Sequence, residues 1–94
     1  MAQETGYRVE GYVTPNQGMA KKAADIIKFY QLKYDIADDG TFTIRTAVLS
    51  DFPDAMAQKL ALCGKGEVTF FNFLVGNWTQ YRFDGVNPPV FEIF

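Results

Sequence analysis

The sequence contains no histidine, and its only cysteine is Cys63. Histidine is the commonest general base and the commonest metal ligand in proteins, so both kinds of site are absent in their usual form. A lone cysteine cannot form an intramolecular disulfide, which is typical of a reducing compartment. These absences argue against histidine-based catalysis or metal binding and favour a cytoplasmic protein.

The sequence also lacks long apolar runs and a strong charge of either sign. No stretch approaches the ~20 apolar residues of a membrane-spanning helix, and the polar start at residues 1–5 has no signal-sequence pattern. The formal net charge is −2, which provides no long-range attraction to phosphate backbones or anionic membranes. We therefore expect no membrane partner, and we disfavour nucleic acid as a ligand.

What the chain does contain is enough apolar sequence for one compact domain over residues 1–94, with 48% hydrophobic and 16% aromatic residues. The spacing of apolar residues predicts these elements in chain order: a strand over 7–13, a helix over 19–30, a strand over 32–36, an extended segment over 41–46, a helix from 50 or 51 to 64 with Pro53 in its first turn, a strand over 67–75 and a strand over 78–83.

Residues 12–23, Y-V-T-P-N-Q-G-M-A-K-K-A, resemble the active-site loop of glutaredoxins, which reads roughly Y-x-x-P-x-C-P-Y-C-x-x-A. Alignment on Tyr12, Pro15 and Ala23 puts Gln17 and Ala20 at the positions of the two active-site cysteines. A thiol at such a helix N-terminus has a lowered pKa and is nucleophilic. Gln17 has neither property, so thiol chemistry is excluded at this position.

The resemblance extends to two further segments. Residues 31–36 are similar to the second glutaredoxin strand, and residues 68–71 fall where glutaredoxins have a T-V-P sequence with a cis proline. Phe71 takes the proline position, and we expect a trans bond there because a non-proline cis bond costs about 2.5–4 kcal/mol. The spacing between these segments is similar to that of the small phage glutaredoxins and suggests a phage origin.

The resemblance implies an α/β, thioredoxin-like fold: a four-stranded mixed sheet with flanking helices, with a core of about residues 7–83. Glutaredoxins end in a helix, but Pro88 and Pro89 prevent one here, so we expect an extended tail over residues 86–94. Two interpretations of this tail stay open, because it could lie over its own sheet or contact a partner. The apolar tail residues concerned are Val90, Phe91, Ile93 and Phe94.

The function that follows is a redox-inactive, glutaredoxin-like protein that acts as a protein-binding adaptor or inhibitor, without a cofactor, a metal or catalytic residues. Its partner would bind the face that corresponds to the former active site, where methionine and aromatic side chains suit an interface. The predicted binding residues are Pro15, Asn16, Gln17, Gly18, Met19, Thr69, Phe70 and Phe71.

An alternative function also stays open. The chain could bind glutathione, or act as an atypical thiol oxidoreductase that uses Cys63 as a displaced nucleophile. Against this, the spacing of Cys63 within the second predicted helix favours a core residue. The sequence specifies neither the partner nor the oligomeric state.

Overall fold

The computed structural model describes residues 5–94, so the polar start at residues 1–4 lies outside the described part of the chain. The elements in chain order are β1 (Tyr7–Pro15), α1 (Ala20–Phe29), β2 (Tyr34–Ile36), β3 (Phe42–Leu49), α2 (Asp54–Ala61), β4 (Gly64–Asn72), β5 (Asn77–Asp84) and β6 (Val90–Ile93). Over residues 5–94, neither helix has the length and apolar character that a membrane span requires.

The strands form one six-stranded sheet in the order β2-β3-β1-β4-β5-β6, and every neighbouring pair is antiparallel. The first four strands and the two helices have the connectivity and strand order of the split β-α-β, or ferredoxin-like, arrangement. Strands β5 and β6 then continue the sheet outward from β4. The structure is therefore an antiparallel sheet with two helices.

The predicted four-stranded mixed sheet of the thioredoxin type is wrong. That fold would place β1 beside a parallel β2, whereas here β3 lies between them and is antiparallel to both. The reason is the segment at residues 41–46, which the sequence indicated only as a short extended stretch. It belongs to an eight-residue strand that turns back from β2 and occupies the place beside β1.

The core lies between one face of the sheet and both helices. Along β1, Val9 and Val13 are fully buried and point towards the helices, whereas Arg8 and Tyr12 lie on the opposite face, because side chains alternate along a strand. We call that opposite face the open face. The buried apolar residues are Val9, Val13, Ala23, Ile27, Leu32, Phe42, Ile44, Met56, Ala57, Leu60, Ala61, Cys63, Val68, Phe70, Tyr81 and Phe83.

Helix α2 starts later than the sequence suggested. The sequence predicted a start at residue 50 or 51, but the N-cap residue is Pro53, and no side chain caps the helix. The residue before a proline is disfavoured in the α conformation, so Phe52 cannot belong to the helix. Its ring instead packs 5.6 Å from that of Phe70, measured between centroids.

Helix α2 is tied to β5 by a hydrogen bond between side chains. The Tyr81 hydroxyl donates to the Asp54 carboxylate over 2.5 Å, from the middle of β5 to the first turn of the helix. Burial and this hydrogen bond both raise the pKa of Tyr81 above its ordinary value. The outer part of the sheet is thereby anchored to the helical layer.

The C-terminal tail is extended but does not lie over the sheet, which was one of the two interpretations that the sequence left open. Residues Val90–Ile93 form β6, which pairs with β5 through Tyr81↔Phe91 and Arg82↔Val90. The tail therefore neither lies over the sheet nor extends freely, but forms an edge strand in the plane of the sheet. Pro88 and Pro89 precede the strand, where their missing N–H groups interrupt no pairing.

Strands β1 and β4 approach so closely that glycine is required between them. A Cβ atom on Gly64 would lie 2.1 Å from the Thr14 carbonyl oxygen, and one on Gly66 would lie 2.2 Å from that of Tyr12. Both clashes are with backbone, which cannot move without breaking the pairing. The pairing of β1 with β4 therefore requires glycine at positions 64 and 66.

We predict that Gly64→Ala lowers the free energy of unfolding by about 3 kcal/mol, at the upper end of the usual cost of overpacking. Urea denaturation followed by circular dichroism measures this change. Gly76→Asn is the matched control, since nothing lies within 4 Å of a Cβ at Gly76 and asparagine tolerates its left-handed conformation. Equal stability of the two variants would contradict the close approach.

Candidate functional site

The predicted binding face is not assembled in the structure. Pro15 pairs with Gly64 at one end of the β1–β4 ladder, whereas Thr69 pairs with Glu10 and Phe71 with Arg8. Thr69 is thus displaced along the ladder from the Pro15 end by about 17 Å, at ~3.4 Å per residue. The two halves of the predicted face lie too far apart to form one site, because the antiparallel pairing puts the start of β4 beside Pro15, and residues 69–71 lie near the other end of β4.

The first half of that face has a structural role. Residues 16–18 are exposed at the junction of β1 and α1, where the sequence alignment placed them, and Met19 is partly buried. The Asn16 backbone N–H donates to the Cys63 carbonyl over 2.7 Å, and its Nδ2 donates to the Gly85 carbonyl over 3.2 Å. Asn16 thus fastens the junction to the chain on either side of the β4–β5 hairpin.

The second half of the face is divided between the two sides of the sheet. Phe70 is buried in the core, whereas Thr69 and Phe71 lie on the open face. The Phe71 ring packs edge-on against Trp78 at 4.8 Å and against Phe73 at 5.5 Å between centroids. Phe71 therefore belongs to an aromatic cluster that the predicted site did not include.

Arg8 covers this aromatic cluster. Its guanidinium carbon lies 5.6 Å from the centroid of the Phe71 ring and 5.1 Å from that of Trp78, which are cation–π distances. Over residues 5–94, the Arg8 Nε atom is buried and has no hydrogen-bond partner. The side chain stabilises an otherwise uncovered aromatic surface by packing as well as by charge.

The rest of the open face carries charges of both signs. The basic residues Arg8, Lys65 and Arg82 lie among the acidic residues Glu10 and Glu67 on neighbouring strands. Glu67 is the register partner of Arg82 in the β4–β5 ladder. A basic stripe of the kind that follows a phosphate backbone is therefore not formed. Within residues 5–94, no group of three metal-ligating side chains comes together.

Cys63 is fully buried between the end of α2 and the start of β4. Its Sγ donates to the Lys59 carbonyl over 3.5 Å. Burial raises the pKa of the thiol, and the nearby charge of Lys22 only partly opposes this effect. A buried thiol with a raised pKa is a poor nucleophile, so the geometry favours the core role.

We predict that Cys63 in the native protein reacts with dithionitrobenzoate at least about a hundredfold more slowly than in the guanidinium-denatured chain, because the protein must open before the thiol is accessible. The absorbance of the released thionitrobenzoate measures both rates. Comparable rates in the two states would contradict the burial and reopen a reactive role for this residue.

Four exposed apolar side chains lie close together on β6 and the residue after it. Val90, Phe91, Ile93 and Phe94 are 66%, 57%, 63% and 62% exposed. Phe91 and Ile93 lie on the same side of the sheet as the core, whereas Val90 and Phe94 lie on the open face with Glu92 between them. Together these five residues form what we call the β6 edge.

The backbone of the β6 edge also faces solvent. Trp78 and Phe94 exchange two hydrogen bonds, with N–O distances of 3.2 and 2.7 Å. Hydrogen-bonded and non-hydrogen-bonded pairs alternate in an antiparallel ladder. The backbone N–H and C=O groups of Glu92 are therefore directed towards β5, like those of Phe94. The N–H and C=O groups of Phe91 and Ile93 are therefore directed outward, where a further strand could pair with them.

The other edge of the sheet has a different character. Strand β2 has only three residues, and Asp35 within it accepts two hydrogen bonds from Arg45, at 3.0 and 2.7 Å. This contact lowers the pKa of Asp35. A short edge strand that carries charge resists strand addition, so the two edges of the sheet are not equivalent.

The turn between β5 and β6 fixes the β6 edge in place. The Asp84 carboxylate accepts hydrogen bonds from the backbone N–H groups of Val86 and Asn87, both at 2.8 Å, and from the Asn87 side chain at 2.9 Å. These bonds, above all the one from the Asn87 backbone, lower the pKa of Asp84 to about 2. The carboxylate is therefore charged whenever the turn is formed near neutral pH.

We predict that this turn depends on ionised Asp84. Because its pKa is lowered on folding, the stabilisation is present above about pH 4 and is lost as the pH falls towards 2. An NMR titration of the carboxyl carbon measures the pKa directly. Asp84→Ala should also speed hydrogen exchange of the Phe94 amide several-fold at neutral pH. The control variant Asp38→Ala, in the β2–β3 turn, should leave this exchange rate unchanged. An unchanged rate in Asp84→Ala would contradict the role of the Asp84 turn.

Sequence reasoning included the apolar residues of the β6 edge but missed Glu92, Arg8, Trp78 and Asp84. The alternation in the first predicted strand did indicate which residues share a face with Arg8. It did not indicate which strands are neighbours, and without that the cluster cannot be assembled. For Asp84, the sequence Asp84-Gly85 was a usable turn signal.

Comparisons of the chain with protein-family models, with curated proteins and with solved structures gave no match. The functional conclusion is therefore based on geometry and chemistry. The β6 edge combines exposed apolar side chains with outward-directed backbone groups.

Proposed function

We propose that this chain is a protein-binding module that adds an extended segment of a partner protein to its sheet at the β6 edge. The single observation that carries the proposal is that every residue of this edge strand is exposed, that all but Glu92 are apolar, and that the backbone N–H and C=O groups of Phe91 and Ile93 are directed outward. Strand addition at a sheet edge is an established mode of peptide recognition. An adaptor or an inhibitor could use it.

Two energetic contributions support this mode. Phe91 and Ile93 offer four outward backbone groups, and each hydrogen bond formed contributes about 0.5–1.5 kcal/mol. Binding would also bury the apolar side chains of these two residues and those of Val90 and Phe94. This burial contributes about 25 cal/mol of favourable free energy per Å² of apolar surface. The strand is also held in place by the Asp84 turn, so little of the ordering cost of binding would fall on this chain.

The proposal moves the partner surface from the β1–α1 junction to the tail residues. It also concerns binding without catalysis, since Cys63 is buried with a raised thiol pKa. We further propose that the module acts in the cytoplasm, because the sequence carries a single cysteine.

A selection from a random library of twelve-residue peptides displayed on phage tests the proposal. The immobilised wild-type protein should enrich peptides, and fluorescence anisotropy should measure their dissociation constants. Ile93→Pro removes one outward N–H but none of the bonds to β5, since this N–H is directed away from β5. We expect it to weaken binding at least about tenfold, from the loss of a hydrogen bond and the clash of the ring.

Ile36→Pro is the matched control on the opposite edge. The bonds from Ala37 N–H to Thr41 and from Arg45 N–H to Lys33 show by alternation that the Ile36 N–H is also directed outward. This variant should bind the selected peptides like the wild type, while circular dichroism confirms that both proline variants are folded. If nothing is enriched, or if Ile93→Pro binds unchanged, the proposed function is wrong.

A further inference from the structure

Glu92 occupies the centre of the β6 edge on the open face. It lies opposite Gln80 on β5, with Val90 and Phe94 on either side along its own strand. Over residues 5–94, Glu92 takes part in no ion pair. Arg82 lies on the same face and its Nε donates to the Gln80 side chain over 3.0 Å, but in the part of the chain that the structure describes it forms no ion pair with Glu92.

The direction of the β6 backbone determines how Glu92 would meet an added strand. The backbone N–H and C=O groups of Glu92 are directed towards β5. In an antiparallel added strand, Glu92 and the residue opposite it would therefore form a non-hydrogen-bonded pair. Side chains lie closer together in a non-hydrogen-bonded pair than in a hydrogen-bonded pair, because the Cα atoms are only about 4.5 Å apart. The charge opposite Glu92 therefore affects binding directly.

A second copy of this chain is a poor occupant of the edge. The register that pairs all of Val90 to Phe94 with itself would bring two Glu92 side chains together at the two-fold axis. Like charges directly opposite each other are destabilising. Registers shifted by two residues either shorten the overlap or bring Pro88 and Pro89, which lack N–H donors, into the pairing.

We propose that the segment bound at the β6 edge belongs to another protein and carries lysine or arginine opposite Glu92, with two apolar residues on each side of it. This inference rests on the proposed function. The apolar residues would face Phe94 and Ile93 on one side of the basic residue, and Phe91 and Val90 on the other. Those opposite Phe91 and Ile93 must donate their N–H groups, so proline is excluded at both positions.

The same phage library, selected in parallel on the wild type and on Glu92→Lys, tests this inference. Wild type should enrich a basic residue at the centre of an apolar pentapeptide, and Glu92→Lys should enrich an acidic one. The best wild-type peptide and its basic-to-acidic variant are then measured against both proteins. The charge change should weaken binding to the wild type about tenfold and improve binding to Glu92→Lys, and 1 M salt should reduce both effects.

The outcomes separate the two proposals. The wild type and Glu92→Lys could select the same peptides, and Ile93→Pro could weaken the binding of these peptides. This result would overturn the charge inference and leave strand addition intact. The absence of any edge-dependent peptide would overturn both. Sedimentation velocity should find the wild type monomeric; a dimer abolished by Ile93→Pro would identify a second copy as the occupant and would also overturn the inference. Glu92→Gln controls for loss of charge alone.

Discussion

Strand β1 is hydrogen-bonded on both sides, to β3 and to β4, and this central position is the constraint on which the rest of the structure depends. It places both helices on one face, separates β2 from β1, and sets β5 and β6 outside β4. The close approach at Gly64 and Gly66 allows the β1–β4 pair to form. Every surface discussed above owes its position to this arrangement.

The elements were largely predictable from the sequence, but their pairing was not. The spacing of Ile27 and its neighbours indicated α1, and the strands predicted over 67–75 and 78–83 correspond to β4 and β5. Periodicity reports which face of an element is buried, whereas strand order depends on contacts between residues far apart in the chain. The motif at residues 12–23 described the local strand-to-helix junction and contained no information about β3.

The candidate site was predictable only in its apolar residues. The sequence indicated that the four large apolar side chains after Pro89 would either pack over the chain's own sheet or contact a partner. That the segment would pair with β5, and so direct Phe91 and Ile93 outward, depends on register. A shift of one residue would exchange the two faces of β6 and move Glu92 to the core side.

The unequal edges of the sheet have a consequence for stoichiometry. A sheet with two receptive edges can add neighbours at both ends and grow into a fibre, since such a contact never closes. Here Asp35 and its contact with Arg45 block growth at β2. In the proposed function, each molecule would therefore accept one strand and terminate the assembly, so that a complex formed at β6 would have a one-to-one composition.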